Sequence, residues 1–192
     1  MIKDFIYHRE EFVRPEHCKD FIDFFEKHPE YQCEGTLGSS NKVDERYKKC
    51  TEMYFKEEEG VWVFELLKNI LEPCCNEYKK IYPFLNEVNG WKICSSCKIQ
   101  KYNPGEGYFK LHCENEGSSG YRSRRLIAWM VYLNDVKEGG YTFFPSQDRK
   151  FSPKAGDILM WPAYWTHPHQ GVVSETCNKY IITGWYTFIS DT

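Results

Sequence analysis

Two short histidine motifs carry the residue types that bind metal ions. His112 and Glu114 are separated by one residue, so both side chains would leave one strand on the same face. His167 and His169 form a second pair near the C-terminus. Imidazole suits iron, zinc, copper and nickel, and two histidines with one carboxylate form a facial triad that leaves coordination positions open. The sequence therefore predicts a metal site built from His112, Glu114 and one of the two late histidines.

Two amphipathic helices are predicted ahead of the strand-rich part of the chain. The first begins near Pro15, a favoured first-turn residue, and its apolar positions at helical spacing are Cys18, Phe21, Ile22 and Phe25. The second follows the apolar pattern from Val61 to Ile81, with an expected kink at Pro73. The expected role of both helices is to support a sheet.

Strand-like segments dominate the chain after residue 90. They are rich in aromatic and β-branched residues, are bounded by Gly, Pro, Asn and Asp, and cover residues 91–102, 125–133, 157–161 and 179–189. Helices followed by short strands indicate an α+β chain whose C-terminal half is a sandwich or open barrel. We therefore expect one domain over residues 1–192, with helical support over about 1–90 and the β core over about 91–192.

Composition and charge disfavour several classes of partner and location. The net charge of -3 gives no reason to expect nucleic acid or an anionic membrane surface, and no apolar run is long enough to span a bilayer. The first residues are charged without an apolar signal region, and nine cysteines are an odd number, so we expect reduced thiols and a cytoplasmic location. These features are compatible with a bacterial or viral origin, and the oligomeric state is left open.

A series of motifs follows in order around the first histidine. Tyr102 opens a Tyr-x-Pro-Gly segment ahead of His112, and the later segments are YLNDV at 132–136, GGYTFFP at 139–145 and PKAGDILMW at 153–161. Together they resemble the 2-oxoglutarate and Fe(II)-dependent dioxygenases, and within them the prolyl 4-hydroxylase-like branch. The resemblance covers roughly residues 102–185. It implies a double-stranded β-helix core, the jelly-roll or cupin-like fold, with N-terminal supporting helices.

The resemblance also implies roles for individual side chains. The family's distal ligand histidine stands about nine or ten residues before the basic residue that binds 2-oxoglutarate, so Lys179 favours His169 over His167 as the third ligand. Lys179 and Tyr102 would then bind 2-oxoglutarate. The Gly-Gly-x-Thr context places Thr142 near the same cosubstrate.

Glu114 departs from the family pattern, because most relatives carry aspartate at this position. Glutamate is one methylene longer, but families in the wider superfamily use it, so Glu114 remains the predicted carboxylate ligand. On this view Glu114→Asp is expected to preserve activity and Glu114→Ala to abolish it. Glu116 has the same strand parity and is a weaker candidate.

The implied activity is hydroxylation of an unactivated C–H bond, with succinate and CO2 as coproducts. Fe(II), 2-oxoglutarate and O2 would supply the chemistry, with ascorbate as a candidate reductant. The nearest branch implies a prolyl or other residue of a peptide or protein as substrate. Trp185 is a candidate to line the pocket near the iron, and Arg124 to face the substrate. A free amino acid or small-metabolite hydroxylase and a non-catalytic cupin-like metal-binding module are the alternatives.

Overall fold

The helices and strands of the computed structural model are given for the residues that it describes, which are 4–37, 42–57, 62–88, 90–115, 117 and 120–189. The two α-helices are α1 (Pro15–Lys27) and α2 (Trp62–Ile81). The strands are β1 (Tyr7–Arg9), β2 (Gln32–Glu34), β3 (Lys48–Lys49), β4 (Thr51–Lys56), β5 (Trp91–Tyr102), β6 (Gly107–Tyr108), β7 (Arg125–Tyr132), β8 (Thr142–Phe144), β9 (Arg149–Phe151), β10 (Ile158–Pro162), β11 (Gln170–Gly171) and β12 (Lys179–Phe188). Short 3-10 turns span Pro29–Tyr31, Pro83–Asn86, Tyr121–Arg124 and Pro145–Gln147.

The strands form two facing antiparallel sheets, as in the double-stranded β-helix. The main sheet has the order β1-β10-β7-β12-β5-β4-β2, and the second sheet has the order β11-β8-β9. A separate pair joins β3 to β6. The non-sequential order of the main sheet shows that its strands are joined by crossings between the two sheets, which is the jelly-roll arrangement.

Strand alternation gives the main sheet two different faces. On β5, Cys97 and Ile99 point to the outer face, where they pack in one apolar cluster with Phe21 of α1 and Leu67 of α2.

Residues of opposite parity point between the two sheets. There Ala128, Met130, Ile181 and Trp185 of the main sheet form a second cluster with Phe144 and Phe151. The helices therefore cover one face, and the other face lines the interior of the jelly roll.

The predicted helices and the four predicted strand segments are confirmed. α1 starts at Pro15 and buries Cys18, Phe21 and Phe25, and α2 runs through Pro73 without ending there. Val61, at the predicted start of the second helix, lies outside the described residues. Neither α-helix in the described part of the chain is long and apolar enough to cross a membrane.

The first 90 residues do more than the helical support that the sequence predicted. β1 pairs with β10 at one edge of the main sheet, and β4 pairs with β5 toward the other edge. Both pairings join residues at least 40 positions apart in sequence, so local pattern could not reveal them. The β core therefore includes strands from both halves of the chain.

Candidate active site

A polar pocket opens between the two sheets. Its walls come from the inward-facing positions of β4, β5, β7, β10 and β12, together with the loops that precede β7 and β11. Among the predicted site residues, those lining it are Tyr102, His112, Glu114, Thr142, His169, Lys179 and Trp185. Arg124 does not line it.

Backbone hydrogen bonds fix His112 beside His169. The amide of His112 donates to the carbonyl of His169 at 3.0 Å, and the reverse bond measures 2.8 Å. Each ring then uses Nδ1 to contact a backbone carbonyl, that of Lys110 at 2.8 Å for His112 and that of His167 at 3.0 Å for His169. Because a carbonyl only accepts, each Nδ1 carries the proton and each Nε2 keeps a lone pair. Both lone pairs are thus available to a metal ion.

The two carboxylate oxygens of Glu114 contact different groups. Oε1 lies 3.6 Å from Nε2 of His112 and 3.4 Å from Nε2 of His169. Oε2 accepts a hydrogen bond from the indole of Trp185 at 2.9 Å and another from the guanidinium of Arg125 at 3.1 Å. The Arg125 guanidinium also stacks 3.4 Å from the centre of the Trp185 ring. This pair of donors holds Glu114 with Oε1 directed at the histidines.

The three side chains suit one metal ion. Their ligand atoms all lie within 4.8 Å of one another, and both histidines are buried. First-row metal ions bind imidazole and carboxylate at about 2.0–2.2 Å, so ligand atoms of one ion lie at most about twice that distance apart. The separations between Oε1 and the two Nε2 atoms fall within this limit. Glu116, the weaker carboxylate candidate, lies outside the described residues.

Electrostatics keep His112 and Glu114 in their metal-binding protonation states. Burial and the adjacent His169 lower the pKa of His112, so its ring is neutral at physiological pH. Burial alone would raise the pKa of Glu114, but its polar surroundings, including the charge of Arg125, hold that pKa well below its usual range. A neutral imidazole beside an ionised carboxylate is the combination that a divalent cation requires.

His167 points away from this cluster. Its Nε2 contacts the backbone carbonyl of Asp4 at 2.8 Å, and its Nδ1 lies 2.9 Å from the hydroxyl of Thr166. Both ring nitrogens are therefore engaged by other protein atoms. The geometry supports the choice of His169, whose Nε2 faces Glu114.

Lys179 marks the other end of the pocket. It is 4% exposed, it lies opposite Tyr102 in the pairing of β12 with β5, and its Nζ sits 4.7 Å from the centre of the Tyr102 ring. Nζ donates to the carbonyl of Gly140 at 2.9 Å, and in the described chain no carboxylate forms an ion pair with it. Burial lowers the pKa of Lys179 to about 8. A buried ammonium without a counter-ion is the expected receptor for a carboxylate ligand.

The Gly-Gly segment shapes the wall beside Lys179. Gly139 and Gly140 both have positive φ, and a Cβ at Gly139 would lie 2.0 Å from the carbonyl oxygen of Val173. Only glycine fits there, and the turn presents the Gly140 carbonyl to Lys179. Thr142 follows on β8, with its hydroxyl 2.7 Å from that of Tyr132 inside the pocket.

Arg124, which was predicted to face the substrate, does not line the pocket, whereas its neighbour Arg125 does. Simple alternation from Met130 would put Arg124 on the pocket face, but the pairing of β7 with β12 shifts register between Tyr186 and Thr187. Leu126 and Ile127 consequently both join the outer cluster. Arg125 then points inward beside Glu114. Bulges of this kind carry little sequence signal.

A second buried polar cluster in the pocket wall was not predicted. Glu52 is fully buried and accepts hydrogen bonds from Lys48, from Lys98 at 2.7 Å, from Gln100 at 2.6 Å and from Tyr54 at 2.9 Å. Lys98 and Gln100 have the same strand parity as Tyr102, but Lys101, of the opposite parity, is charged as well. The sequence pattern alone therefore did not single out a polar interior wall.

Tyr108 connects this wall to the candidate metal ligands. Its ring stacks on His112 with 3.7 Å between ring centroids, and Nζ of Lys48 lies 5.2 Å from its centre. Lys48 is also its partner in the pairing of β3 with β6. The short β3–β6 pair therefore buttresses the imidazole of His112.

Comparisons with known proteins agree with this geometry. Residues 97–187 match the family profile of the 2OG-Fe(II) oxygenase superfamily. A protein of Acanthamoeba polyphaga mimivirus, named for prolyl 4-hydroxylase activity, is 22% identical over 91% of this chain and 70% of its own length. The viral collagen prolyl hydroxylase of Paramecium bursaria Chlorella virus-1 has a TM-score of 0.72 and 19% identity, covering 96% of this chain and 97% of that chain.

A further solved structure shares the fold over nearly the whole chain. The Trichoplax adhaerens prolyl hydroxylase, in complex with a peptide fragment of hypoxia inducible factor, has a TM-score of 0.74 and 19% identity over 97% of this chain and 84% of that chain. The family match covers the three candidate ligands and Lys179. The chain is therefore similar to the 2OG-Fe(II) oxygenase superfamily over residues 97–187, and over most of its length to proteins named prolyl 4-hydroxylase or prolyl hydroxylase.

Proposed function

We propose that the protein hydroxylates prolyl residues of a peptide or protein, with Fe(II) held by His112, Glu114 and His169. Lys179, Tyr102 and Thr142 bind 2-oxoglutarate, and Trp185 flanks the substrate on the side of the pocket next to Glu114. The prolyl substrate is supported by the named activities of the relatives, one of which was solved with a peptide.

One observation carries the proposal: Oε1 of Glu114 converges with two imidazole Nε2 atoms while every other polar atom of the three side chains is held by the protein. An ordinary buried ion pair would not leave two imidazole lone pairs aimed at one carboxylate oxygen. The arrangement is therefore that of a preformed metal site with its supporting contacts in place.

The protein's own residues bind, orient and exclude water. When bound, Fe(II) with 2-oxoglutarate supplies the oxidising chemistry that acts on O2 and on the C–H bond. Lys179 neutralises the remote carboxylate of the cosubstrate, and Tyr102 offers its hydroxyl, whose pKa is raised by burial so that it stays protonated. Met130, Trp161 and Ile181 line the pocket with apolar surface that keeps water out.

The proposal is tested by combining a spectrum with a product assay. Anaerobic protein with Fe(II) and 2-oxoglutarate should develop the charge-transfer absorption of the chelated complex. With O2 and proline-containing peptides it should then form succinate and peptide that is heavier by one oxygen atom. A protein that binds metal but shows neither signal would instead be a non-catalytic binding module.

The two late histidines give a matched pair of variants. His169→Ala is expected to weaken metal binding by more than about 100-fold, because loss of an outer contact alone typically costs about 10- to 100-fold. His167→Ala should leave metal affinity within about threefold and only lower stability, by about 1–3 kcal/mol, since it loses contacts to Asp4 and Thr166. Anaerobic Co(II) titration followed by visible absorption distinguishes them. The reverse pattern would make His167 the ligand.

Lys179 is expected to make 2-oxoglutarate binding sensitive to pH. Its pKa is about 8 because of burial, so the cation is present below that pH and is lost as pH rises through it. The Kd for 2-oxoglutarate should therefore increase above pH 8, by at most about tenfold per pH unit. Isothermal titration from pH 6.5 to 9.5 on Mn(II)-loaded protein measures this dependence.

Two substitutions serve as controls for that titration. Lys179→Met should raise the Kd by about 30- to 3000-fold, which corresponds to the loss of about 2–5 kcal/mol, and should flatten the pH dependence. Lys179→Arg keeps a cation at every pH tested and should also flatten the profile while binding more tightly than the methionine variant. A wild-type Kd that stays constant to pH 9.5 would contradict the assignment.

A further inference from the structure

The wall around Glu52 holds more positive than negative charge. The ammonium groups of Lys48 and Lys98 share the single carboxylate of Glu52. Within the described chain, Glu52 is the ion-pair partner of both lysines. Burial and the neighbouring charge of Lys98 lower the pKa of Lys48, as expected where cations outnumber anions. Gln100 and Tyr54 complete the shell of Glu52 without adding charge.

Loading the cofactors does not remove this excess. Fe(II) is a dication and 2-oxoglutarate a dianion, so together they add no net charge to the pocket. Lys179 lies beside the Gly140 carbonyl at the start of strand β12, whereas Trp185 lies toward the other end of that strand. The carboxylate that Lys179 binds is therefore not a counter-ion for the Lys48–Lys98 wall. One uncompensated positive charge therefore remains on the Lys48–Lys98 wall.

Strand register places this charge next to the substrate side of the pocket. Lys98 lies opposite Thr183 on β12, and the next inward residue of β12 is Trp185, which holds Glu114. Two residues along a strand span about 7 Å, which is within reach of a lysine side chain. Lys98 also retains 12% exposure, and its other strand neighbour Tyr54 is 45% exposed, so this part of the wall is open.

We propose that Lys98, supported by Lys48, binds a carboxylate of the substrate, so that the enzyme selects substrates with a negative charge beside the hydroxylated residue. This inference rests on the proposed hydroxylase function and adds a specificity determinant to it. The carboxylate comes either from an acidic side chain next to the target proline or from the α-carboxylate of a free amino acid. A lysine side chain cannot distinguish the two, but binding probes can.

The test measures binding without turnover. Wild-type protein loaded with Mn(II) and N-oxalylglycine is titrated calorimetrically with two pairs of probes: proline hexapeptides with Asp or Asn beside proline, and N-acetylproline or its amide. One pair should show at least about tenfold tighter binding of the carboxylate member, as expected for a charge-assisted contact of about 1.4 kcal/mol or more. The preference should shrink between 50 and 500 mM NaCl.

Lys98→Met should abolish that preference, because Glu52 keeps Lys48, Gln100 and Tyr54 as partners and the wall stays intact. Lys92→Met, at the exposed far end of the same strand, makes the same change in net charge and should leave the preference unchanged. Retention of the charge-transfer absorption with Fe(II) and 2-oxoglutarate verifies that the Lys98 variant is folded. Equal binding within both probe pairs, or a preference that survives in Lys98→Met, overturns the inference.

The two proposals fail differently. If wild type and Lys98→Met hydroxylate the Asp-containing proline peptide equally well, the prolyl activity stands and the carboxylate subsite does not. If carboxylate probes bind in a Lys98-dependent manner but no proline compound gains oxygen, the subsite stands and the prolyl substrate is wrong. A preference confined to the N-acetylproline pair identifies a free carboxylate as the group that is recognised.

Discussion

Replacing Glu114 by alanine is expected to abolish hydroxylation and to weaken Fe(II) binding by more than about 100-fold. The variant loses the oxygen that faces both histidine Nε2 atoms and the negative charge that favours a dication at this position. It also removes the acceptor that Arg125 and Trp185 share. His112→Ala should match it in metal affinity.

Shorter and neutral replacements of Glu114 test how its carboxylate is held. Aspartate withdraws the carboxylate by about 1.5 Å, the length of one C–C bond, so it cannot reach the histidine Nε2 atoms and keep the contacts to Trp185 and Arg125. We expect Glu114→Asp to lose about 10- to 100-fold in metal affinity. This differs from the expectation drawn from sequence, in which aspartate preserves activity.

Glu114→Gln separates shape from charge. If the amide oxygen faces the histidines, the amide NH2 must face the indole N–H of Trp185 and the guanidinium of Arg125, which are also donors. The glutamine variant should therefore bind metal less tightly than wild type despite its equal length. Anaerobic Co(II) titration of all three variants provides the ranking. Wild-type affinity in the aspartate variant would show that the Trp185 and Arg125 contacts do not position Glu114.

The strand-rich half of the fold could be predicted because its signals are local. Residues 91–102 and 179–189 contain aromatic and β-branched side chains and are preceded by turn residues, and the structure has strands at Trp91–Tyr102 and Lys179–Phe188. β1 and β4 were missed because each pairs with a strand that is far away in sequence. The candidate ligands could be named because their motif spacing is itself local.

Two parts of the pocket required the three-dimensional structure. Arg125 faces inward because of the register shift beside Thr187, and no residue type in this segment indicates that shift. The Glu52 cluster forms because β4 lies beside β5 with Glu52 opposite Gln100, a pairing of residues 48 positions apart. Sequence alone would assign polar residues in such a position to the protein surface, because the register between the strands is not known.

Replacing Glu52 by glutamine should be the most destabilising single change in the wall, by about 3–5 kcal/mol, because it leaves two buried ammonium groups without their carboxylate. Lys48 is 1% exposed and cannot turn to water. Glu45→Gln is the matched control, since Glu45 pairs with Lys49 on the surface at 3.1 Å with 59% exposure, and it should cost less than about 1 kcal/mol. Urea denaturation at pH 7 gives both values.

The stability difference between wild type and Glu52→Gln should depend on pH. Burial opposes ionisation of Glu52, but the charges of Lys98 and Lys48 outweigh burial and lower its pKa from 4.5 to about 2. A lowered pKa contributes stability that is fully present above the unfolded value and is lost as pH falls toward the folded value. The difference should therefore be constant above about pH 5 and narrow between about pH 4.5 and 2. A gap that stays constant down to pH 2.5 would show that Glu52 does not ionise against the two lysines.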